Sequence, residues 1–107
     1  MENTFTKIFA DTLRDILRIK GISQVQLASK LGVKQNTMSQ WVNGKREPNY
    51  ENLLKICYYL DITPDEILNY HRAKTHIESI EKIKEDIKDN LNFSNTIIDD
   101  IIKTLKD

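Results

Sequence analysis

Four side chains that both donate and accept hydrogen bonds, Gln35, Asn36, Ser39 and Gln40, lie close together in one short stretch of the 107-residue chain. On a helix, steps of one, four and five from Gln35 project from neighbouring parts of one face, while Met38, Trp41 and Val42 turn away from it. Such an array suits recognition. Each base pair shows a distinct pattern of donors and acceptors in the major groove of a duplex. Gln and Asn match adenine N6 and N7 with two bonds at once, worth roughly 1 to 3 kcal/mol of discrimination each. A·T pairs are therefore expected beneath this face. Ser39 is the weakest reader of the four, because its short hydroxyl falls far from a base edge.

Residues for bond-making chemistry are not assembled in the same way. His71 and His76 stand five apart, further round a helix than a same-face step, and no cysteine or acidic set completes metal-ligand spacing around them. No metal is expected. Cys57 sits in an apolar row, where an inert buried thiol is the expected state; a nucleophile needs a base and an electropositive setting. Gly44-Lys45-Arg46 lacks the upstream glycines of a phosphate loop and follows a helix instead of a strand. The chain is expected to be no enzyme and to need no cofactor.

The elements that position these residues can be read from periodicity and punctuation. Fifteen Ile and ten Leu against three Gly and two Pro favour helices over a turn-rich barrel. Phe5, Ile8, Phe9, Leu13, Ile16 and Leu17 make the apolar stripe of a first helix ending near Lys20, with Thr4 as the expected N-cap and Gly21 as its stop. Ser23 caps a second helix from Gln24 to Leu31, whose Val25, Leu27, Ala28 and Leu31 face inward, and Gly32 follows as a left-handed terminator. A third helix opens at Lys34 or Gln35 and runs to about Val42. Asn49 caps a fourth that carries Leu53, Leu54, Ile56, Cys57 and Leu60. Thr63, Pro64 and Glu66 form a capping box for a fifth, ending near Tyr70.

Composition then changes. Residues 71–107 contain no Gly, Pro, Trp or Tyr, and carry fifteen charged side chains. Their apolar positions are Ile77, Ile80, Ile83, Ile87 and Leu91, then Ile97, Ile98, Ile101, Ile102 and Leu105, two amphipathic stripes separated near Asn92 to Asn95. Two helices are expected, the second capped by Ser94 or Asn95, with one long interrupted helix as the other arrangement. A segment this small builds no useful core alone. Its expected burial partner is a second copy of itself.

Charge points the same way once its distribution is considered. Sixteen basic and sixteen acidic residues leave a formal charge of zero, which by itself weighs against a polyanionic partner. Arg14 to Arg46, however, holds seven bases (Arg14, Arg18, Lys20, Lys30, Lys34, Lys45 and Arg46) and one acid, and Glu47 to Tyr70 holds five acids and one base. A polyanion would meet a positive edge if folding brings those bases to one face. The first ten residues carry polar side chains with Glu2 and Lys7, and no apolar run nears the roughly 18 residues of a membrane span. With a single cysteine, no intrachain disulfide forms. A soluble, cytoplasmic protein with no membrane partner is expected.

Two helices of about eight residues around a turn at Gly32 have helix-turn-helix spacing, and the small Ala28 lets them cross closely while Val33, Met38 and Trp41 lock the later one in place. Ser23-Gln24 before Ala28, Leu31-Gly32 at the turn, and Trp41-Val42-Asn43-Gly44-Lys45-Arg46-Glu47-Pro48 after it closely resemble the DNA-binding domains of the Cro/cI (XRE) repressor family. The resemblance covers about residues 8–69. It implies an all-α, five-helix, lambda-repressor-like DNA-binding domain over 1–70, followed by a helical dimerisation tail over 71–107. It further implies that Gln24, Asn43, Lys45 and Arg46 bind phosphates, while Lys34, next to Gln35, meets either a phosphate or a thymine edge and Gln35, Asn36, Ser39 and Gln40 read bases. A repressor binding a near-palindromic operator in double-stranded DNA as a homodimer, in a bacterial or phage-infected cytoplasm, is the expected function. The competing expectation is an antitoxin or partner-controlled regulator whose Ile-rich tail docks another protein, a toxin or antirepressor.

Overall fold

The structure, a computed structural model, describes residues 3–90 and 95–106, and places seven helices and no strand among them. They are α1 (Thr4–Lys20), α2 (Gln24–Leu31), α3 (Gln35–Val42), α4 (Tyr50–Leu60), α5 (Pro64–Leu68), α6 (Tyr70–Asn90) and α7 (Asn95–Lys106). The all-α class follows directly from the sequence periodicity. Helices α1 to α5 enclose one continuous core in which Leu13, Met38, Ile56 and Ile67 are wholly shielded and Phe9, Leu27, Trp41 and Leu60 nearly so. Helices α2 to α5 are too short to be stable alone in water, so the shared apolar interior is what holds each of them.

Local chemistry sets most boundaries where the punctuation predicts. Ser23 and Gln26 form a reciprocal capping box at α2, Thr63 and Glu66 form another at α5 with Pro64 in the first turn, and the Asn49 side chain accepts from Asn52 N at 2.9 Å to start α4. One cap moves. Asn3, not Thr4, begins α1: its Oδ1 accepts from the backbone N–H of Phe5 (2.8 Å) and Thr6 (3.3 Å), and Thr4 is already helical. The amide oxygen of Asn3 reaches the first free N–H groups from an extended backbone, the geometry that a cap requires.

One inward assignment fails, and one residue of the fourth helix's apolar set stays outside the core. Val25 is 62% exposed, because it lies roughly 110° round α2 from the centre of the row formed by Leu27, Ala28 and Leu31. Leu54 is likewise exposed on α4, beside the half-buried Leu53.

The fifth helix stops at Leu68 instead of near Tyr70, and the reason is Asn69. It adopts a left-handed conformation (φ 49°, ψ 58°), which Asn tolerates better than most residues, and its Oδ1 accepts from Arg72 N at 3.3 Å. Its backbone carbonyl also accepts from Ala73 N at 3.1 Å. One residue thus closes α5 and opens α6, with Tyr70 passing to the later helix. The Asn69 Nδ2 donates to Thr12 Oγ1 (3.3 Å), tying the corner to α1.

Beyond this corner α6 packs on α1 and α5 with its early turns and on α7 with its later ones. The helices α6 and α7 pair with each other in the same chain instead of forming one rod. Ile80 and Ile102 are buried between them with Ile87 alongside, so part of the apolar stripe is covered without a second copy. Ile77, Ile83 and Leu105 remain exposed and Ile101 is half-buried. Leu91 and Ser94 fall outside the described residues, as do the side chains of Ile97 and Ile98. Asn95 is the first residue of α7.

Core burial predicts a contrast between two apolar residues of neighbouring helices. Met38→Ala should cost about 2 to 5 kcal/mol of unfolding free energy in a urea titration. Val25→Ala should cost less than about 0.5 kcal/mol, and an equal loss from both would contradict this packing.

Candidate nucleic-acid interface

Helix α3 is seated from three directions. Its apolar side, Met38 (0% exposed), Trp41 (4%) and Val42 (2%), enters the core, with α1 and α2 as its neighbours. Trp41 is therefore a core residue. At its start, Gly32 takes φ +71°, a conformation that would strain any L side chain, and the Val33 N–H returns to the Ala28 carbonyl at 3.1 Å. Lys34 then occupies the N-cap position with an extended backbone and no side-chain bond to the helix. At its end, Arg14 of α1 reaches across: its Nη1 donates to the Val42 carbonyl at 2.8 Å, placing a cation against the last residue of α3.

The four candidate readers lie on the rest of the helix surface. Gln35 and Asn36 are exposed, and Ser39 and Gln40 are half-buried. Ser39 and Asn43 engage each other, Asn43 Nδ2 donating to Ser39 Oγ at 3.1 Å, so each uses one hydrogen-bonding group within the chain. This leaves Gln35, Asn36 and Gln40 as the longer amide side chains of the face.

The loop after α3 folds back against it. The Gln40 carbonyl accepts from the backbone N–H of both Lys45 (2.9 Å) and Arg46 (3.3 Å), holding the two cations at the C-terminal end of the helix. Gly44 is buried at φ +73°, where an added Cβ would lie 3.7 Å from Ala10 Cβ and 3.9 Å from Lys7 Cα, so the turn rests directly on α1. Beyond the cations, Glu47 Oε2 accepts from Thr6 Oγ1 at 2.9 Å. Lys45 and Arg46 are thus carried on a short span pinned to α1 at Gly44 and again at Glu47.

Not all bases of the positive segment join this edge. Lys34, Lys45 and Arg46 are exposed and form no ion pair among the described residues, and Gln24 is exposed at the first position of α2. Arg14 is instead committed to Val42 and to Asp11, whose other oxygen meets Arg72 Nη1 of α6 at 3.3 Å. Arg18 lies 3.6 Å from Asp15 with both side chains exposed, a pair of little energetic weight. The structural roles of Arg14, Thr6 and Glu47 have no local signature, since their partners stand 28 and 41 residues away in sequence. Of the five acids of the following segment, Glu51 lies on α4 beside Lys55, Asp65 and Glu66 lie on α5 with Glu66 inside its capping box, Asp61 closes α4, and Glu47 is in the loop bonded to Thr6.

Elsewhere, Cys57 is buried, and burial raises its thiol above the usual cysteine range, favouring the unreactive protonated form. His76 packs edge-on to Phe5, with ring centroids 5.4 Å apart. No group of three metal-ligating side chains occurs among the described residues, and no helix among them is long and apolar enough to cross a membrane.

This arrangement has counterparts among known proteins. Residues 13–67 match the family model described as Helix-turn-helix. The HTH-type transcriptional activator BcrR of Enterococcus faecalis is 31% identical over 91 residues, covering 85% of this chain and 44% of that protein. Repressor protein C2 of Salmonella phage P22 is 31% identical over 72 residues, covering 67% of this chain and 33% of its own length. The chain thus spans less than half the length of either relative. The crystal structure of the restriction-modification controller protein C.AhdI from Aeromonas hydrophila aligns with a TM-score of 0.55 at 32% identity, covering 58% of this chain and 94% of that one. The clp gene regulator ClgR from Corynebacterium glutamicum aligns with a TM-score of 0.62 over 81% of this chain and 93% of its own, at 18% identity, a likeness of fold.

The long-range contact at Val42 generates a stability prediction. Arg14→Leu should lower the unfolding free energy by about 1 to 2 kcal/mol, because the carbonyl loses a charged donor at a partly exposed site. Thermal unfolding checks this, and an unchanged midpoint would remove Arg14 from the support of α3. Cys57 in turn should resist alkylation by iodoacetamide in the native protein and react fully once denatured in urea.

Proposed function

The chain belongs to the Helix-turn-helix family, and from that premise we propose that it is a sequence-specific DNA-binding transcription regulator that inserts α3 into the major groove. One observation carries the reading. A helix fixed on its inner side by Met38, Trp41 and Val42 presents Gln35, Asn36 and Gln40 outward, and exposed cations flank it at Lys34 and at Lys45 and Arg46. The amides read base edges, with A·T pairs as their matching partners, and Ser39 contributes through its bond to Asn43 more than through a base. Gln24, Lys34, Asn43, Lys45 and Arg46 meet the phosphates and set the register. The double anchoring of the Lys45–Arg46 span places these charges before DNA arrives, which reduces the ordering cost of binding.

The working unit in this proposal is a homodimer joined through residues 71–107, with residues 1–70 as the DNA-binding part. Ile77, Ile83 and Leu105 supply an apolar surface on the paired helices, and Ile80 and Ile102 stiffen that surface from within. Two-fold symmetry then presents recognition helices to successive major grooves, about 34 Å apart, on a near-palindromic operator. Repression needs only that this site overlap a promoter, for which occupancy suffices. Such a regulator works where its DNA is, in a bacterial or phage-infected cytoplasm.

A binding-site selection from random duplexes, followed by fluorescence anisotropy, tests the groove reading. Gln35→Ala and Gln40→Ala should each relax the preference at individual base pairs, whereas Lys45→Ala should weaken binding to all sequences and reduce the slope of log affinity against log salt by about one. Equal losses on selected and random DNA for all three variants would break the division of roles.

Light scattering tests the assembly. The double variant Ile77→Asp, Ile83→Asp alters only exposed positions, so it should stay folded, elute as a monomer and bind the selected duplex at least about tenfold more weakly. Retained dimer mass would relocate the interface.

A further inference from the structure

A cleft of about 670 Å³ opens on the side of the domain where α1, the start of α4, α5 and α6 meet the segment after Arg46. That volume lies within the range of small-molecule sites, which run from roughly 300 to 1,000 Å³. Its walls are mainly apolar and include the rings of Phe5, Phe9 and Tyr70 and the side chain of Leu53. Two carboxylates, Glu47 and Asp65, stand in the lining, and no lysine, arginine or histidine lines it among the described residues. An anion would therefore enter against two like charges with no counter-ion. A neutral apolar molecule would leave the carboxylates unused. A cation with an apolar body would be met by both features of the wall, since aromatic faces attract cations as well as apolar surface.

From this complementarity we infer that the cleft is a binding site for a lipophilic organic cation, a charged nitrogen or phosphorus centre carried on an apolar or aromatic frame. Phe9 and Leu53 take the frame, and Glu47 and Asp65 neutralise the charge. The position has a mechanical consequence. Glu47 is the residue that anchors the Lys45–Arg46 span to α1 through Thr6, at 2.9 Å, and Tyr70 is the first residue of α6. A cation that draws on the Glu47 carboxylate competes with Thr6 for it and loosens the span that carries the phosphate-binding charges. Capture of the cation is independent of DNA; only its effect on DNA affinity rests on the function proposed above, so the two are measured separately.

The test uses the full chain and a pair of probes of the same shape and opposite charge, tetraphenylphosphonium and tetraphenylborate, titrated by calorimetry. The expected result is saturable binding of the phosphonium at one site per chain, at least about tenfold tighter than the borate. Asp65→Asn and Glu47→Gln should each weaken the phosphonium several-fold and leave the borate no weaker. Glu47→Gln retains an oxygen that accepts from Thr6, so a fall in affinity there reports charge. Amide chemical shifts should move around Phe9, Leu53 and Tyr70, and the thermal midpoints of both variants establish that they remain folded. Equal affinity for the two probes, no binding of either, shift changes elsewhere, or phosphonium binding unaffected by both substitutions would each overturn the assignment. A second copy covering the cleft would overturn it too, and would appear as phosphonium affinity that falls as protein concentration rises. Anisotropy on the selected duplex with and without phosphonium then measures the effect on DNA, expected as a weakened affinity; unchanged DNA affinity with intact phosphonium binding would reject the coupling alone.

Discussion

The polar face of this molecule depends on seating a helix that is too short to exist by itself. Eight residues give two turns, and about half of the backbone amides and carbonyls of such a segment lie near an end, where no partner within the helix is available. Burial of Met38, Trp41 and Val42 supplies the stability that propensity cannot, and it fixes the rotation of α3 about its own axis at the same time. Because the same side chains that stabilise the helix also determine which way Gln35, Asn36 and Gln40 point, folding and the orientation of the polar face are one event. The Arg14 guanidinium at Val42 completes the seat at the end of the helix farthest from Gly32.

Electrostatics in the chain works by placement, since the total charge is zero. Some bases are neutralised close to home: Arg14 and Arg72 share Asp11, and Lys55 and Lys74 lie near carboxylates on their own helices. Those at the two ends of α3 have no such partner among the described residues. Several acids are held elsewhere: Asp65 and Glu66 sit at the start of α5 and gain from the dipole there, and Glu47, next to Arg46, is bonded to Thr6. The outcome is a local positive edge on a neutral protein, which limits indiscriminate attraction to polyanions while keeping strong contacts where they are aimed.

Sequence reading located what is encoded locally. The turn at Gly32, the boxes at Ser23 and Thr63, the cap at Asn49 and the core role of Trp41 all follow from a few adjacent residues, and each stands in the structure. Contacts between distant segments were not legible. Nothing near Arg14 announces a carbonyl 28 positions on, and nothing near Thr6 announces Glu47. The exchange of Thr4 for Asn3 as a cap is a competition between two good cap residues that backbone angles decide. Asn69 looked like an interior position of a fifth helix because its left-handed conformation is set by the tertiary corner against Thr12. The tail forms two helices, as its two stripes predict, but periodicity does not say whether a stripe meets its own chain or another, and Ile80 and Ile102 meet each other.

The corner at Asn69 has a further consequence. Two helices that share a single residue as terminator and initiator have no slack between them, so α6 leaves the body of the molecule at a bearing set by covalent geometry and by the Thr12 and Asp11 contacts. In a rigid rod each added residue advances the axis by about 1.5 Å and swings the far end by about 100°. The tail therefore leaves the body as a stiff arm whose bearing is cut into the chain. One inserted or deleted residue in the first turns of α6 would swing and shift everything mounted beyond it while leaving the body itself intact.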